Sequence, residues 1–207
     1  MAAIVAGCGS GAPATLHAPP ATYLLGVDQL VAPDFTVDAP AHPLSVTDAA
    51  GGDTSRAGEL ASAGFTSAAA VDFFRDPGNI AAVNGPVQVG DTVEEFASAA
   101  GAAVPFGKDI ARLDAVAGAS AASTGSLGDA AHATTRLVTD PTSGVHLVEI
   151  TVEWRVANLL DILVVRGRDG GTRLIDALLL AHTQTAAELG LATPTPLTTA
   201  TRSPRPS

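Results

Sequence analysis

Hydrophobic positions along this chain change period several times, and those changes predict its elements. In the second half, Ala131–Thr139 and Val145–Arg155 flank Asp140-Pro141-Thr142-Ser143-Gly144, a strong hairpin signal. Along the second of these strands His146, Val148, Ile150, Val152 and Trp154 share one face. Leu147, Glu149, Thr151, Glu153 and Arg155 share the other. This period of two predicts a sheet with one buried and one wet face. Leu159–Val165, apolar except for Asp161, follows as a central strand. A helix then starts at Gly170-Gly171-Thr172 and ends at Gly190, with Leu174, Leu178, Ala181, Thr185 and Leu189 along one side.

The first half is less regular. Pro33, Pro40 and Pro43 make residues 31–50 read as extended surface coil. A short helix over 54–63 is capped by Asp53, ended by Gly64, and buries Ala57, Leu60 and Ala61. Phe65 to Phe74 predicts a strand closed by the turn Asp76-Pro77-Gly78-Asn79. Residues 86–115 admit two readings. Thr92-Val93-Glu94-Glu95 fits a capping box opening a helix. The favoured alternative is a strand from Val87 to Phe96, then a helix from Ser98 that Pro105 and Gly107 break. The expected class is α+β, an antiparallel sheet with amphipathic helices packed on one face.

At the amino end, Val5-Ala6-Gly7-Cys8 resembles the lipobox of bacterial lipoproteins. The resemblance implies a diacylglyceryl group on the Cys8 thiol, cleavage just before it, and anchoring at the extracytoplasmic face of a membrane. Cys8 is the only cysteine, so a disulfide within the chain is excluded. Residues 1–8 then read as the end of a signal peptide, although only seven residues precede Cys8 and none is basic. Residues 9–22 read as a flexible tether, 23–191 as one domain, and the Pro-rich residues 192–207 as a disordered tail. No segment reaches the ~18 apolar residues that span a bilayer.

Composition narrows the partners. Hydrophobic residues make up 46% and aromatic residues 4%, so the core is built from small side chains. Net charge is −10, nearly all of it in residues 1–100, and Lys108 is the only lysine. Such a chain repels a phosphate backbone, which excludes nucleic acid as a partner.

Catalytic templates fail. Gly118-Ala119-Ser120 and Gly125-Ser126-Leu127-Gly128 lack the nucleophile elbow, and there is neither a Walker A motif nor a dinucleotide fingerprint. Arg166-Gly167-Arg168-Asp169-Gly170-Gly171-Thr172 leads into a helix but lacks phosphate-loop spacing, so it reads as an ordinary turn. His17, His42, His132, His146 and His182 form no ligand pair, and no metal or cofactor is expected. Glu149 and Glu153 stand ~13 Å apart along a strand, beyond the ~5–9.5 Å of paired-acid hydrolysis. Asp161 is the notable polar position. Burying it requires a partner, for which Arg155, Arg166 or His146 is expected. The candidate ligand site is a cavity between the sheet and the last helix, near Trp154, Asp161 and Arg155.

Ala63-Gly64-Phe65, the segment Phe96 to Ala102, Arg155-Val156-Ala157-Asn158-Leu159 and Ala181-His182-Thr183-Gln184 resemble a set of actinobacterial lipoproteins with no assigned activity. More distantly the chain resembles the extracytoplasmic sensor domain of mycobacterial serine/threonine kinases, which uses disulfides this chain cannot form. These resemblances imply a non-enzymatic, membrane-anchored binding or sensor domain for a small molecule or envelope protein. The alternatives are an envelope hydrolase with a site assembled from distant residues, and a structural interaction module.

Overall fold

The structure is a computed structural model that describes residues 15–76, 78, 84–140 and 144–191. Cys8, residues 9–14 of the expected tether and the Pro-rich tail lie outside the described residues. The class is α+β. Seven strands form one antiparallel sheet: β1 Thr36–Leu44, β2 Phe65–Phe74, β3 Pro86–Phe96, β4 Ser120–Ala122, β5 Ala130–Thr139, β6 His146–Val156 and β7 Leu159–Arg168. Their spatial order is β1-β2-β3-β7-β6-β5-β4. Two meanders are thus joined down the middle by β3 and β7, whose register runs from Gln88↔Arg166 to Glu95↔Leu159. The helices are a single turn α1 Val46–Ala49, then α2 Thr54–Ser62, α3 Ala99–Asp114 and α4 Leu174–Glu188.

Alternation along the central strands buries both faces of the sheet. Val71, Phe73, Val89, Val152, Trp154, Leu163 and Val165 pack under Ala177, Leu180 and Ala181 of α4. The other face carries Phe96 and Leu160 under Leu60 of α2 and Ala102 and Phe106 of α3. Helices therefore flank the sheet on both sides rather than on the one side expected. The face of β6 expected to be wet is largely covered, and Glu149, Thr151 and Glu153 are buried in it. A single strand shows which face each residue takes but not whether a distant helix covers that face.

Two proline readings are corrected. Residues 36–44 form β1 despite Pro40 and Pro43. β1 is an edge strand with two register shifts against β2, and an edge tolerates residues that cannot donate to the ladder. The helix expected to break is continuous over Ala99–Asp114, with Pro105 inside it. Pro105 and Phe106 are buried there, and that packing outweighs the lost backbone bond. Residues 92–95 are strand, as the favoured reading had it, and Ser98 caps α3 by accepting from the Gly101 amide.

The chain is docked from Leu16 onward. The Leu16 amide donates to Asn158 Oδ1 at 2.7 Å, and Asn158 Nδ2 donates to the carbonyls of Leu16 and Phe96, both at 3.1 Å. Leu16, Leu24, Leu25, Leu30 and Phe35 then join the apolar cluster under α4.

Candidate functional site: a buried acidic cluster and an open groove

Trp154 and Asp161 face each other in the β6–β7 ladder, both fully buried on the α4 side. Arg155 is one residue on and so takes the opposite face. It pairs in register with Leu160 and lies 5.6 Å over the Phe106 ring of α3. The three expected ligand residues therefore do not converge.

None of the expected partners reaches Asp161. Arg155 and Arg166 lie on the other face, and His146 begins β6 at its far end. Asp161 Oδ1 instead accepts from Gln184 Nε2 of α4 at 3.3 Å. Asp91 of β3 and Glu188 of α4 complete the cluster, and both are buried. Asp91 Oδ2 accepts from the Leu25 amide at 2.8 Å. Among the described residues no basic side chain pairs with any of these three carboxyls. Burial pushes Asp161 well above the usual carboxylate range, and the charges of Glu188 and Asp91 push it further. Burial raises Asp91 to about 7 against the opposing Leu25 hydrogen bond. Burial also lifts Glu188 to about 7. Asp91 and Glu188 are missed by sequence reasoning because each is a single acid in an amphipathic element.

On the opposite face cations are present, yet burial still pushes Glu94 up to about 7 against the charge and hydrogen bonds of Arg56. Arg56 of α2 bonds Glu94 of β3 at 2.9 and 3.2 Å, and Asp109 of α3 at 2.8 to 3.2 Å. It also donates to the Ala49 carbonyl at 2.5 Å. Burial disfavours the guanidinium, and Glu94 and Asp109 more than offset that. Arg112 extends the network to Asp109 and Glu59. Further along this face Glu149 accepts from Arg136 at 2.5 Å and Arg166 at 2.6 Å. The partners named in this region are side chains and one backbone carbonyl of the same fold, which marks it as a fastening between layers.

Beyond α3 the same face is open. Register places Phe74, Gln88, Arg166, Glu149 and Arg136 in one row across five strands, and Asp72, Gly90, Val164, Thr151 and Thr134 in the next. Over β2, β3 and β7 these rows line a groove of about 290 Å³, with Asp38, Asp72, Gln88, Thr92, Ile162 and Arg166 in its wall. A side chain at Gly90 would meet Asp72 Oδ1 at 2.8 Å, so glycine keeps the floor flat there.

A second hollow of about 410 Å³ lies between Asn84–Pro86 and the start of α4. Several of its backbone donors are used. The Gly85 amide bonds the Gly171 carbonyl, the Gly171 and Thr172 amides bond the Arg168 carbonyl, and the Arg173 amide bonds Asp176. Residues 166–168 finish β7 and residues 169–171 form a turn, so the segment holds no phosphate loop. Among the described residues no group of three His, Cys, Asp or Glu is placed to hold a metal ion. No helix there is long and apolar enough to cross a membrane.

The fold defines a class: a seven-stranded antiparallel sheet with a helical layer on each face. No family model matches the chain. No curated protein matches it. Among solved structures it is similar to the extracellular domain of PknH from Mycobacterium tuberculosis. The TM-score is 0.49 at 13% identity, over 75% of this chain and 81% of that one. A likeness at this level transfers no function.

Proposed function

We propose that the chain is the extracytoplasmic domain of a lipid-anchored, non-catalytic binding protein, held at the membrane through Cys8. Its ligand is a small polar molecule or a segment of an envelope protein that lies in the groove over β2, β3 and β7. The observation that carries this reading is the stretch of sheet face left open beyond α3. There Asp72, Gln88, Thr92 and Arg166 supply hydrogen-bonding groups beside the half-buried Ile162 and Val164. Apolar floor with a few polar groups is the composition of a binding surface. Glu149 takes the Nε of Arg166, which orients the guanidinium and leaves its η nitrogens as donors. The anchor rests on the lipobox-like Val5-Ala6-Gly7-Cys8.

Two measurements test the reading. The first is intact mass with membrane fractionation after expression in a lipoprotein-processing bacterium from an upstream start codon. A membrane-bound product starting at Cys8 with added diacylglyceryl mass, lost on Cys8→Ala, supports the anchor; a soluble product with a free thiol removes it. The second follows amide shifts of the labelled protein against fractions of envelope extract. Shifts centred on Gln88, Thr92 and Arg166, abolished by Arg166→Ala, support the groove. Shifts confined to other surfaces overturn it.

A further inference from the structure

We infer that Asp91, Asp161 and Glu188 form a proton-operated latch, which holds the N-terminal segment and α4 to one sheet face when protonated and loosens both on ionising. The latch is independent of the ligand groove, which lies on the other face.

The geometry carries this. The three carboxyls come from three elements, β3, β7 and α4, and meet under α4 in an apolar layer. A fourth element enters through the Leu25 amide on Asp91 Oδ2. The groups facing them from each packed element are few. They are Gln184 on α4 and the Trp154 indole on β6, while Asp72 of β2 and Glu94 of β3 act through the sheet from its other face. Those with charge are acids, so each ionisation adds repulsion that no cation relieves. Asp161 Oδ2, Asp91 Oδ1, Gln184 Oε1 and Trp154 Nε1 are all buried, and none has a hydrogen-bond partner among the described residues. Buried oxygens in that state are relieved by a proton on one carboxyl shared with its neighbour. Removing the proton leaves a charge in a medium where it cannot stay, so the element that can move does so. The N-terminal segment, held there by Leu25 and the apolar side chains around it, and the last turn of α4, which carries Glu188, are the pieces at the cluster that are not themselves part of the strand ladder.

The direction follows from linkage. All three groups are raised relative to an unfolded chain, so the stability they confer is full below about pH 4 and is lost as pH rises through about 7. The test is thermal unfolding of the full 207-residue chain from pH 5 to pH 8, beside D91N/E188Q and D161N. The expected wild-type result is a Tm that falls by roughly 5–10 °C across that interval. The double variant loses a clear part of the slope, and the remainder is carried by Asp161 and, on the other face, by the raised Glu94 and Glu153. A flat or rising wild-type Tm overturns the latch, and so does a slope that D91N/E188Q leaves unchanged. Should the variants fail to fold, hydrogen exchange on the wild type decides. Protection at Leu25 and at 184–188 falling between pH 6 and pH 8, while β5 and β6 stay protected, supports the latch. Uniform protection across the domain overturns it. Groove binding by Arg166 is read separately, so failure of either idea leaves the other standing.

Discussion

Trp154 stands directly across the β6–β7 ladder from Asp161, and α4 seals both from solvent. An indole and a carboxyl, each with an unused polar atom, are therefore paired in the interior.

That pairing makes the sole tryptophan an internal reporter. Its emission is expected to be blue-shifted and resistant to acrylamide quenching in the folded state. Trp154→Phe removes an N–H that has no partner, so it costs only lost contact area. Trp154→Ala opens a cavity and is expected to cost about 3–5 kcal/mol. Urea unfolding of the two variants checks the ordering; equal losses would mean that the indole N–H is bonded after all.

Arg56 gives the largest expected single loss on the other face. Arg56→Met leaves the buried Glu94 without its cation and Asp109 with Arg112 alone, which costs about 3–5 kcal/mol. Replacing all three with apolar residues of similar volume is expected to recover most of that loss. Chemical denaturation of the single and triple variants measures both.

Two glycines on α3 should respond in opposite directions. A Cβ at Gly107 meets nothing within 4 Å, so Gly107→Ala is expected to stabilise by about 0.5–1 kcal/mol. A Cβ at Gly101 falls 2.4 Å from the Ala63 carbonyl. Gly101→Ala must push α3 away from the end of α2, and is expected to destabilise by about 1–3 kcal/mol. Melting temperatures of the pair check the sign.

The optimum pH for stability should lie on the acid side. Asp53, Glu59 and Glu149 are held below the usual carboxylate range. The Arg56 and Ser55 amides hold Asp53 there, and Arg112 and Lys108 hold Glu59. For Glu149, Arg136 and Arg166 outweigh burial. Their contribution is present above about pH 4.5 and is lost as pH falls further. With the raised acids working in the other direction, the maximum is expected near pH 5. A Tm profile from pH 3 to pH 8 locates it.

The α+β class, the edges of α2 and β2, the β5–β6–β7 unit, and the turn between β7 and α4 were legible in local pattern, although β7 runs three residues past the expected Val165. Period two along β6 and helical spacing along α4 depend on neighbours a few residues apart. What local pattern cannot carry is coverage. Whether Glu153 faces water depends on α3, some forty residues earlier in the chain, and whether Glu149 does depends on Arg136 and Arg166 of the neighbouring strands. Proline reads as a breaker in isolation, yet β1 has an outer edge and α3 a buried Pro105 to absorb it. The importance of Asp161 was visible as a charge in an apolar strand. Its companions were not, because Asp91 and Glu188 come together only when β3 pairs with β7 and α4 folds back.

The hydrogen bonds between Leu16 and Asn158 set a short leash. If Cys8 carries the lipid, the eight steps from it to Leu16 span at most on the order of 28 Å. Asn158 sits at the β6–β7 turn, beside Leu159 at the start of β7, whereas Arg166 lies near the strand's other end. Seven residue steps along the strand separate Leu159 from Arg166, about 23 Å. The protein would thus stand with its α3-covered end toward the bilayer and the Gln88–Arg166 row farthest out, where molecules arriving from outside reach it first.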